Sequence, residues 1–192
     1  MRKKGSLLKE LPVLVVVALV VSLFIKTFLV QFFYIPSGSM ENTLQIKDRV
    51  AVNKVPFISN TIKRGDVVVF RDPNNWLPEI IDYSTNKYVA KAKSALVTVG
   101  VLPNPAKQYL VKRVIGVGGD RVVCCTKDGK LTINGVEVTE PYIFAGNKPS
   151  EMNFDVTVPK GKLWVMGDHR GASADSRYHQ EDINKGFVPE SK

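Results

Sequence analysis

Two serines separated by one glycine, Ser37 and Ser39, have types and a spacing that could carry out covalent chemistry. In so tight a segment one hydroxyl can attack a carbonyl group, while its own backbone amide and the other hydroxyl face the oxyanion that develops. The same Ser-Gly-Ser spacing also occurs in ordinary linkers. A serine nucleophile therefore has to be supported by a base elsewhere in the chain.

Lys112 is the best candidate for that base. The histidines, His169 and His179, lie in no recognisable triad context. A lysine can replace histidine when burial lowers its pKa from about 10.4 toward neutrality. Lys112 lies in an apolar run, 109–115, where strand alternation puts Lys112 and Arg113 on opposite faces. We expect one of the two to face the interior, and we expect Arg113, on the other face, to tolerate lysine.

A third group of polar residues fills 167–177, where two acids and two arginines alternate with small residues. Such a composition suits a rigid loop whose ion pairs hold a hydroxyl in place. A solvated turn is the alternative interpretation.

Most of the periodic signal after Pro36 comes from short β-branched segments bounded by Gly, Pro, Asn or Asp. These segments predict strands at 49–54, 66–70, 109–115, 121–123, 130–134 and 162–166. Asn134-Gly135 predicts a two-residue hairpin turn between 131–133 and 136–138. The predicted fold is mainly β, an all-β and partly barrel-like domain. Residues 71–108 interrupt the pattern and predict an inserted helical lobe.

The segment 11–35 is apolar apart from Lys26. As a helix rising about 1.5 Å per residue it would be roughly 37 Å long, enough to cross a hydrocarbon core of about 30 Å. A continuous helix is expected because backbone groups in lipid must bond within the segment. Aromatic residues 32–34 would then lie at the membrane interface.

Basic residues before this segment predict a cytoplasmic amino terminus under the positive-inside rule: Arg2, Lys3, Lys4 and Lys9. A cleavable signal peptide is the alternative, which bulky residues at 25–30 disfavour because cleavage needs small side chains. The chain is thus divided into a basic tail, 1–10, an anchor, 11–35, and an extracytoplasmic domain, 36–192.

The composition excludes several classes of protein. The chain has 192 residues, a formal net charge of +9, 44% hydrophobic residues and 23% charged residues, which argue against disorder or a collagen-like repeat. No zinc-finger spacing or basic zipper accompanies the positive charge, so nucleic acid is not an expected partner. The neighbouring Cys124 and Cys125 favour a strand with one cysteine facing in and one out, while redox or metal roles stay open.

Together these segments resemble bacterial type I signal peptidases, the membrane-anchored Ser/Lys endopeptidases of the S26 type that remove signal peptides. Four family boxes occur in order: 36–40 (PSGSM) with Thr43 and Leu44, 64–70 (RGDVVVF), 109–116 (YLVKRVIG) with Gly119 and Asp120, and 167–177 (GDHRGASADSR). The resemblance covers the anchor and most of the β-rich body, and it excludes much of 71–108.

The resemblance implies that Ser39 is the nucleophile and Lys112 the general base. Ser37 would supply an oxyanion-hole hydroxyl beside the Ser39 amide, and Ser173 would orient Lys112 through a hydrogen bond. The resemblance also implies a supporting ion pair between Asp175 and Arg177. Pockets for small substrate side chains would be lined by Ile35, Met40, Leu44, Leu110 and Val111.

The implied function is cleavage of signal peptides from exported preproteins that have small residues at the −1 and −3 positions. Neither a metal nor a cofactor is expected. The implied location is the bacterial cytoplasmic membrane, with one pass through the lipid bilayer and the catalytic domain outside the cytoplasm. Two alternatives remain: a self-cleaving Ser/Lys regulator, and a non-catalytic membrane-tethered β-domain.

The sequence also departs from the family pattern. His169 stands where the family usually has asparagine, and Gly171-Ala172 replaces a common Asp-Asn pair. The chain ends where a further apolar strand is expected. These departures are what keep the non-catalytic alternative open.

Overall fold

The computed structural model describes residues 7–55, 62–78 and 108–191. It divides into two units, Met1–Pro36 with Ile46–Ile62, and Ser37–Gln45 with Lys63–Lys192. The inserted helical lobe expected within 71–108 lies mostly outside the described residues.

The first unit holds helix α1 (Leu7–Phe28) followed by strands β1 (Val30–Tyr34) and β2 (Arg49–Asn53). The two strands pair antiparallel, with Phe32 opposite Ala51. The prediction of one continuous helix to residue 35 is wrong in its last part, because the aromatic and β-branched segment from Val30 bonds with β2 instead. Judged on the described residues alone, no helix is long and apolar enough to cross a membrane.

The second unit is built from short strands that pair antiparallel. In chain order they are β3 (Val67–Arg71), β4 (Tyr109–Val117), β5 (Arg121–Cys124), β6 (Leu131–Ile133), β7 (Val136–Glu137), β8 (Phe154–Thr157), β9 (Lys162–Met166) and β10 (Val188–Pro189). Among the described residues they form two four-stranded sheets, with orders β10-β9-β4-β3 and β7-β6-β5-β8. The prediction of a mainly β protein is confirmed.

The hairpin predicted at Asn134-Gly135 joins β6 to β7. Both turn residues have positive φ, 54° at Asn134 and 81° at Gly135, which matches the two-residue turn whose twist fits antiparallel strands. The sequence signal therefore identified both the turn and its register.

Side chains from both sheets share one hydrophobic core in the second unit. Trp164 of β9 is fully buried and packs against the rings of Phe154 and Phe187. A bulge in β4 falls between Val114 and Gly116. A Cβ at Gly116 would lie 2.7 Å from the Val122 side chain, so glycine is what lets β5 approach β4 this closely.

Cys124, the last residue of β5, is buried, and Cys125 is half-buried. A disulfide joins these two neighbours. The sequence favours two separate thiols on opposite faces, so the structure differs from that expectation.

Candidate active site

A direct contact in this unit joins the Ser39 hydroxyl to the Lys112 amine. Lys112 Nζ lies 2.7 Å from Ser39 Oγ. Both residues are buried, with 8% of Ser39 and 4% of Lys112 exposed. An amine and a hydroxyl held at this distance away from water can exchange a proton.

Lys112 reaches this position because β4 is the strand between β3 and β9. The strand buries Leu110, Lys112 and Val114, and it leaves Val111 and Arg113 half-buried. The predicted alternation is confirmed, and Lys112 is the member of the Lys-Arg pair that faces inward. Period-two alternation therefore aims a lysine at the interior of a protein that would otherwise exclude a charge.

Ser39 is the middle residue of a short 3₁₀ turn, Gly38–Met40, called here the Ser39 turn. The Met40 side chain is 1% exposed and fixes the turn in the interior. Glu41 N closes the turn on Gly38 O at 3.0 Å. The backbone N–H of His169 donates to Ser39 O at 3.1 Å, so the loop after β9 holds the serine directly.

Burial lowers the pKa of Lys112 to about 8. Removal from water disfavours the ammonium form and is the largest cause. Asp175 opposes the shift, Arg177 adds to it, and Asp168 opposes it, all through charge. The amine is therefore neutral in a large fraction of molecules at mildly alkaline pH, which is the state a general base needs.

The ion pair expected between Asp175 and Arg177 is present and fully buried. Arg177 Nε and Nη2 each donate to one carboxylate oxygen of Asp175 at 2.8 Å. Asp175 also accepts a hydrogen bond from Gly167 N at 2.9 Å, and Arg177 Nη2 donates to Arg170 O at 2.9 Å. These hydrogen bonds tie the 167–177 loop to itself around a buried ion pair, so the loop is not a solvated turn.

Comparison with known proteins identifies the family of the chain. The family model described as signal peptidase, peptidase S26, matches residues 8–192. The chain belongs to this family. It is therefore a serine peptidase that cleaves signal peptides.

Two curated relatives of this peptidase cover nearly all of its length. It is 40% identical over 216 residues to the probable signal peptidase I of Mycobacterium leprae, covering 98% of this chain and 74% of that protein. It is also 40% identical over 213 residues to the signal peptidase I of Mycobacterium tuberculosis H37Rv, covering 97% and 69%. A solved signal peptidase I from Enterococcus faecalis is 32% identical, covering 44% of this chain and 79% of that one at a TM-score of 0.35.

The hydrogen bond expected between Ser173 and Lys112 of the peptidase is not formed. Ser173 Oγ is buried and has no partner among the described residues, while Lys112 Nζ contacts Ser39 Oγ. A side chain on Gly167 would collide with both the Ser173 side chain and Ser39 O. Gly167 thus lets Ser173 pack beside the Ser39 turn.

Ser37 precedes the Ser39 turn and is exposed. Its side chain makes no capping hydrogen bond to that turn, although its position is that of an N-cap. Among the residues expected to line pockets, Met40 and Leu110 are buried while Leu44 and Val111 are half-buried. The remaining one, Ile35, is buried and belongs to the first unit.

Sequence reasoning missed a buried network centred on Asp168, whose side chain is fully enclosed. Arg113 Nε and Nη2 donate to its two carboxylate oxygens at 2.8 and 2.6 Å, and Thr43 Oγ1 donates to it at 2.5 Å. Arg113 also donates to Gly65 O at 2.7 Å, and its guanidinium lies 4.1 Å from the centre of the Tyr142 ring. A single ammonium cannot make all of these contacts, so a lysine at this position is expected to lose some of them, and the mild effect of Arg113→Lys stays a prediction.

A second missed pair is Glu41 with His169, whose Nδ1 lies 2.9 Å from Glu41 Oε2. The histidine ring also stacks on Phe144 at 4.1 Å between ring centres. The only sequence signal was the unusual histidine itself, since its partner is 128 residues away in the chain.

Proposed function

We propose that the peptidase cleaves its substrates through a catalytic dyad of Ser39 and Lys112. The observation that carries this proposal is the buried 2.7 Å contact between Lys112 Nζ and Ser39 Oγ. The lowered pKa of Lys112, about 8, supports the same assignment because a base has to be neutral before it can accept a proton.

In the proposed reaction Ser39 Oγ attacks the carbonyl carbon of the scissile peptide bond while its proton moves to Lys112 Nζ. The resulting ammonium then donates that proton to the leaving amine, and an acyl-enzyme ester on Ser39 remains. Lys112, neutral again, removes a proton from the water that hydrolyses the ester. These steps balance with no electron transfer and with water as the second substrate.

Ser37 is proposed to stabilise the oxyanion together with the Ser39 amide. Its hydroxyl is free of the capping role that its position would allow, so it is available to a substrate carbonyl oxygen. Ser173 is proposed to accept a hydrogen bond from the neutral Lys112 amine once Ser39 is acylated. Its buried, unpartnered hydroxyl makes that exchange favourable, because an unpaired buried polar group costs free energy.

The pair of Asp175 and Arg177 is proposed to hold Ser173 in place. Both residues follow Ser173 in the same loop and bond to each other. Their opposite charges have opposite effects on the pKa of Lys112. A net negative group there would raise the pKa of the lysine and weaken it as a base at neutral pH.

The proposed substrate is an extended segment with small residues at the −1 and −3 positions. Four side chains of the second unit are proposed to line its pockets: Met40, Leu44, Leu110 and Val111. Support comes from their places in the chain, since Leu110 and Val111 directly precede Lys112 on β4 and Met40 directly follows Ser39.

We also propose that the apolar residues of the run 11–35 that lie in α1 anchor the peptidase in the cytoplasmic membrane by a single pass, with residues 1–10 in the cytoplasm. Support comes from the sequence and from α1, where large apolar side chains such as Leu14, Leu19 and Leu23 are each more than 60% exposed. Continuous apolar surface of this kind is stable in lipid and unfavourable in water.

Cleavage of a defined precursor tests the dyad. The full chain in detergent is incubated with a precursor whose signal ends in Ala-x-Ala, and the new amino terminus is sequenced. We expect one cut after that motif by the wild type and none by the Ser39→Ala or Lys112→Ala variants. Cleavage by the folded Ser39→Ala variant at the wild-type rate would exclude the proposed nucleophile.

A further inference from the structure

The Ser39 turn is held from outside by a side-chain pair that does not touch the dyad. Glu41 follows the turn directly, and its carboxylate lies 2.9 Å from His169 Nδ1. The two side chains are partly enclosed, with 26% of the Glu41 side chain and 21% of the His169 side chain exposed. Their contact joins the segment carrying Ser39 to the loop that follows β9.

His169 holds the same segment by its backbone as well. Its N–H donates to Ser39 O at 3.1 Å, and its ring is stacked on Phe144 at 4.1 Å. Phe144 N in turn donates to Asp168 O at 3.0 Å, which fixes the peptide just before His169. The ring and the backbone of His169 therefore both contact the segment that carries Ser39.

The turn is short, and its own contacts hold it within its segment: Met40 is buried, Glu41 N donates to Gly38 O at 3.0 Å, and Thr43 N and Leu44 N donate to Met40 O at 3.0 and 2.8 Å. None of these backbone bonds joins the turn to the loop that follows β9. A displacement of about 1 Å at a nucleophile is enough to lower turnover by roughly a hundredfold. The 2.7 Å contact to Lys112 thus depends on contacts beyond the turn.

We propose that Glu41 and His169 are a positioning pair, whose contact keeps the Ser39 turn in register with Lys112. The inference rests on the proposed role of Ser39 as nucleophile. The pair acts on the geometry of the dyad and not on substrate binding. A partly exposed pair of this kind adds little to global stability, so its loss is expected in turnover and not in folding.

The test is steady-state cleavage of an Ala-x-Ala peptide by the full chain in detergent. We expect Glu41→Ala and His169→Ala each to lower kcat by roughly tenfold to a hundredfold while KM changes by less than about twofold. The double variant is expected to match either single one, because the contact is lost once. A double variant whose loss equals the product of the two single losses would overturn the pair.

Conservative variants separate positioning from a purely structural role. Glu41→Gln and His169→Asn each introduce an amide group that can form a hydrogen bond with the remaining partner. We therefore expect both variants to keep most of the wild-type kcat. If Glu41→Gln were as slow as Glu41→Ala while folded, the contact would not be what matters, and the inference would be wrong.

Gly38 offers an independent way to disturb the pair. A Cβ at Gly38 would lie 2.8 Å from the Glu41 carboxyl carbon and would push that side chain aside, and Gly38 does not have a positive φ that alanine would oppose. We expect Gly38→Ala to lower kcat in the wild type and to have no further effect in the Glu41→Ala background. An equal loss in both backgrounds would contradict the inference.

Asp182→Ala is the matched control. It breaks a second His–carboxylate pair, in which His179 Nδ1 lies 2.9 Å from Asp182 Oδ2 with similar exposure, and we expect kcat to be unchanged.

The pH midpoint of activity should also stay near the Lys112 pKa of about 8 in the Glu41 and His169 variants, because burial, Asp175, Arg177 and Asp168 set that value. Wild-type kcat in both alanine variants would overturn the pair alone, whereas activity in Ser39→Ala would overturn the proposed nucleophile.

Discussion

Lys112 and Arg113 are neighbours on β4, yet the two faces of the strand give their charges opposite uses. Lys112 faces a site where its side chain meets a serine hydroxyl, and burial lowers its pKa to about 8. Arg113 faces Asp168; its own burial is outweighed by the hydrogen bonds and charge of that carboxylate, so its pKa is raised. A buried cation without a carboxylate contact can lose its proton and act as a base. A cation that contacts a carboxylate stays charged and serves to hold the structure together.

The largest expected effect is from Lys112→Arg. Arginine keeps a positive charge of similar length but does not lose its proton in the accessible pH range, so acylation of Ser39 should be abolished. Mass spectrometry of the chain after mixing with precursor checks for the acyl-enzyme. An active Lys112→Arg enzyme would show that the residue on the inward face of β4 is not the general base.

Asp168→Asn should cause the next largest effect, on stability. It leaves the half-buried Arg113 guanidinium without its counter-charge, and we expect a loss of about 1–3 kcal/mol in the free energy of unfolding. Denaturant unfolding of the full chain in detergent measures the loss, and Asp182→Asn serves as a half-exposed control. A loss of less than about 1 kcal/mol in the free energy of unfolding would mean that the Asp168 contact with Arg113 does not stabilise the fold.

The pH dependence of cleavage tests the inward face without mutation. Since Lys112 must be neutral, kcat/KM should rise about tenfold per pH unit below the pKa of about 8 and level off above it. The contribution of Lys112 to the free energy of unfolding also increases with pH. The folded pKa of about 8 lies below the reference value of 10.5, so this contribution is complete above pH 10.5 and is lost as pH falls through 8. A flat profile across pH 8 would argue against Lys112 as the base.

Arg113→Lys should have the smallest effect. The charge remains, but the two-pronged contact with Asp168 and the bond to Gly65 O cannot all be made, so we expect a loss of about 1–2 kcal/mol in unfolding free energy and near-normal pH dependence. Arg121→Lys is the matched control, since Arg121 pairs with Asp155 on the exposed side of β5. An equal loss of unfolding free energy in the two variants would show that burial of the Arg113–Asp168 pair does not matter for its contribution to stability.

Local patterns predicted a large part of the fold. Six strands were identified because alternation and β-branched residues act within a few positions, and the Asn134-Gly135 turn was identified because its residues accept positive φ. The strands β1, β8 and β10 were missed. The segment of β1 is as apolar as the helix before it, so its strand character appears only through pairing with β2.

By itself, then, the sequence determined that Lys112 and Arg113 lie on opposite faces, and that Asp175 and Arg177 are close enough in the chain to pair. Only the tertiary structure decided the long-range contacts: Lys112 with Ser39 across 73 residues, Arg113 with Asp168 across 55, and Glu41 with His169 across 128. The physical reason is that side-chain period and turn propensity are fixed by neighbouring residues. The partner across a sheet or loop depends on the register between distant segments, which no local pattern specifies.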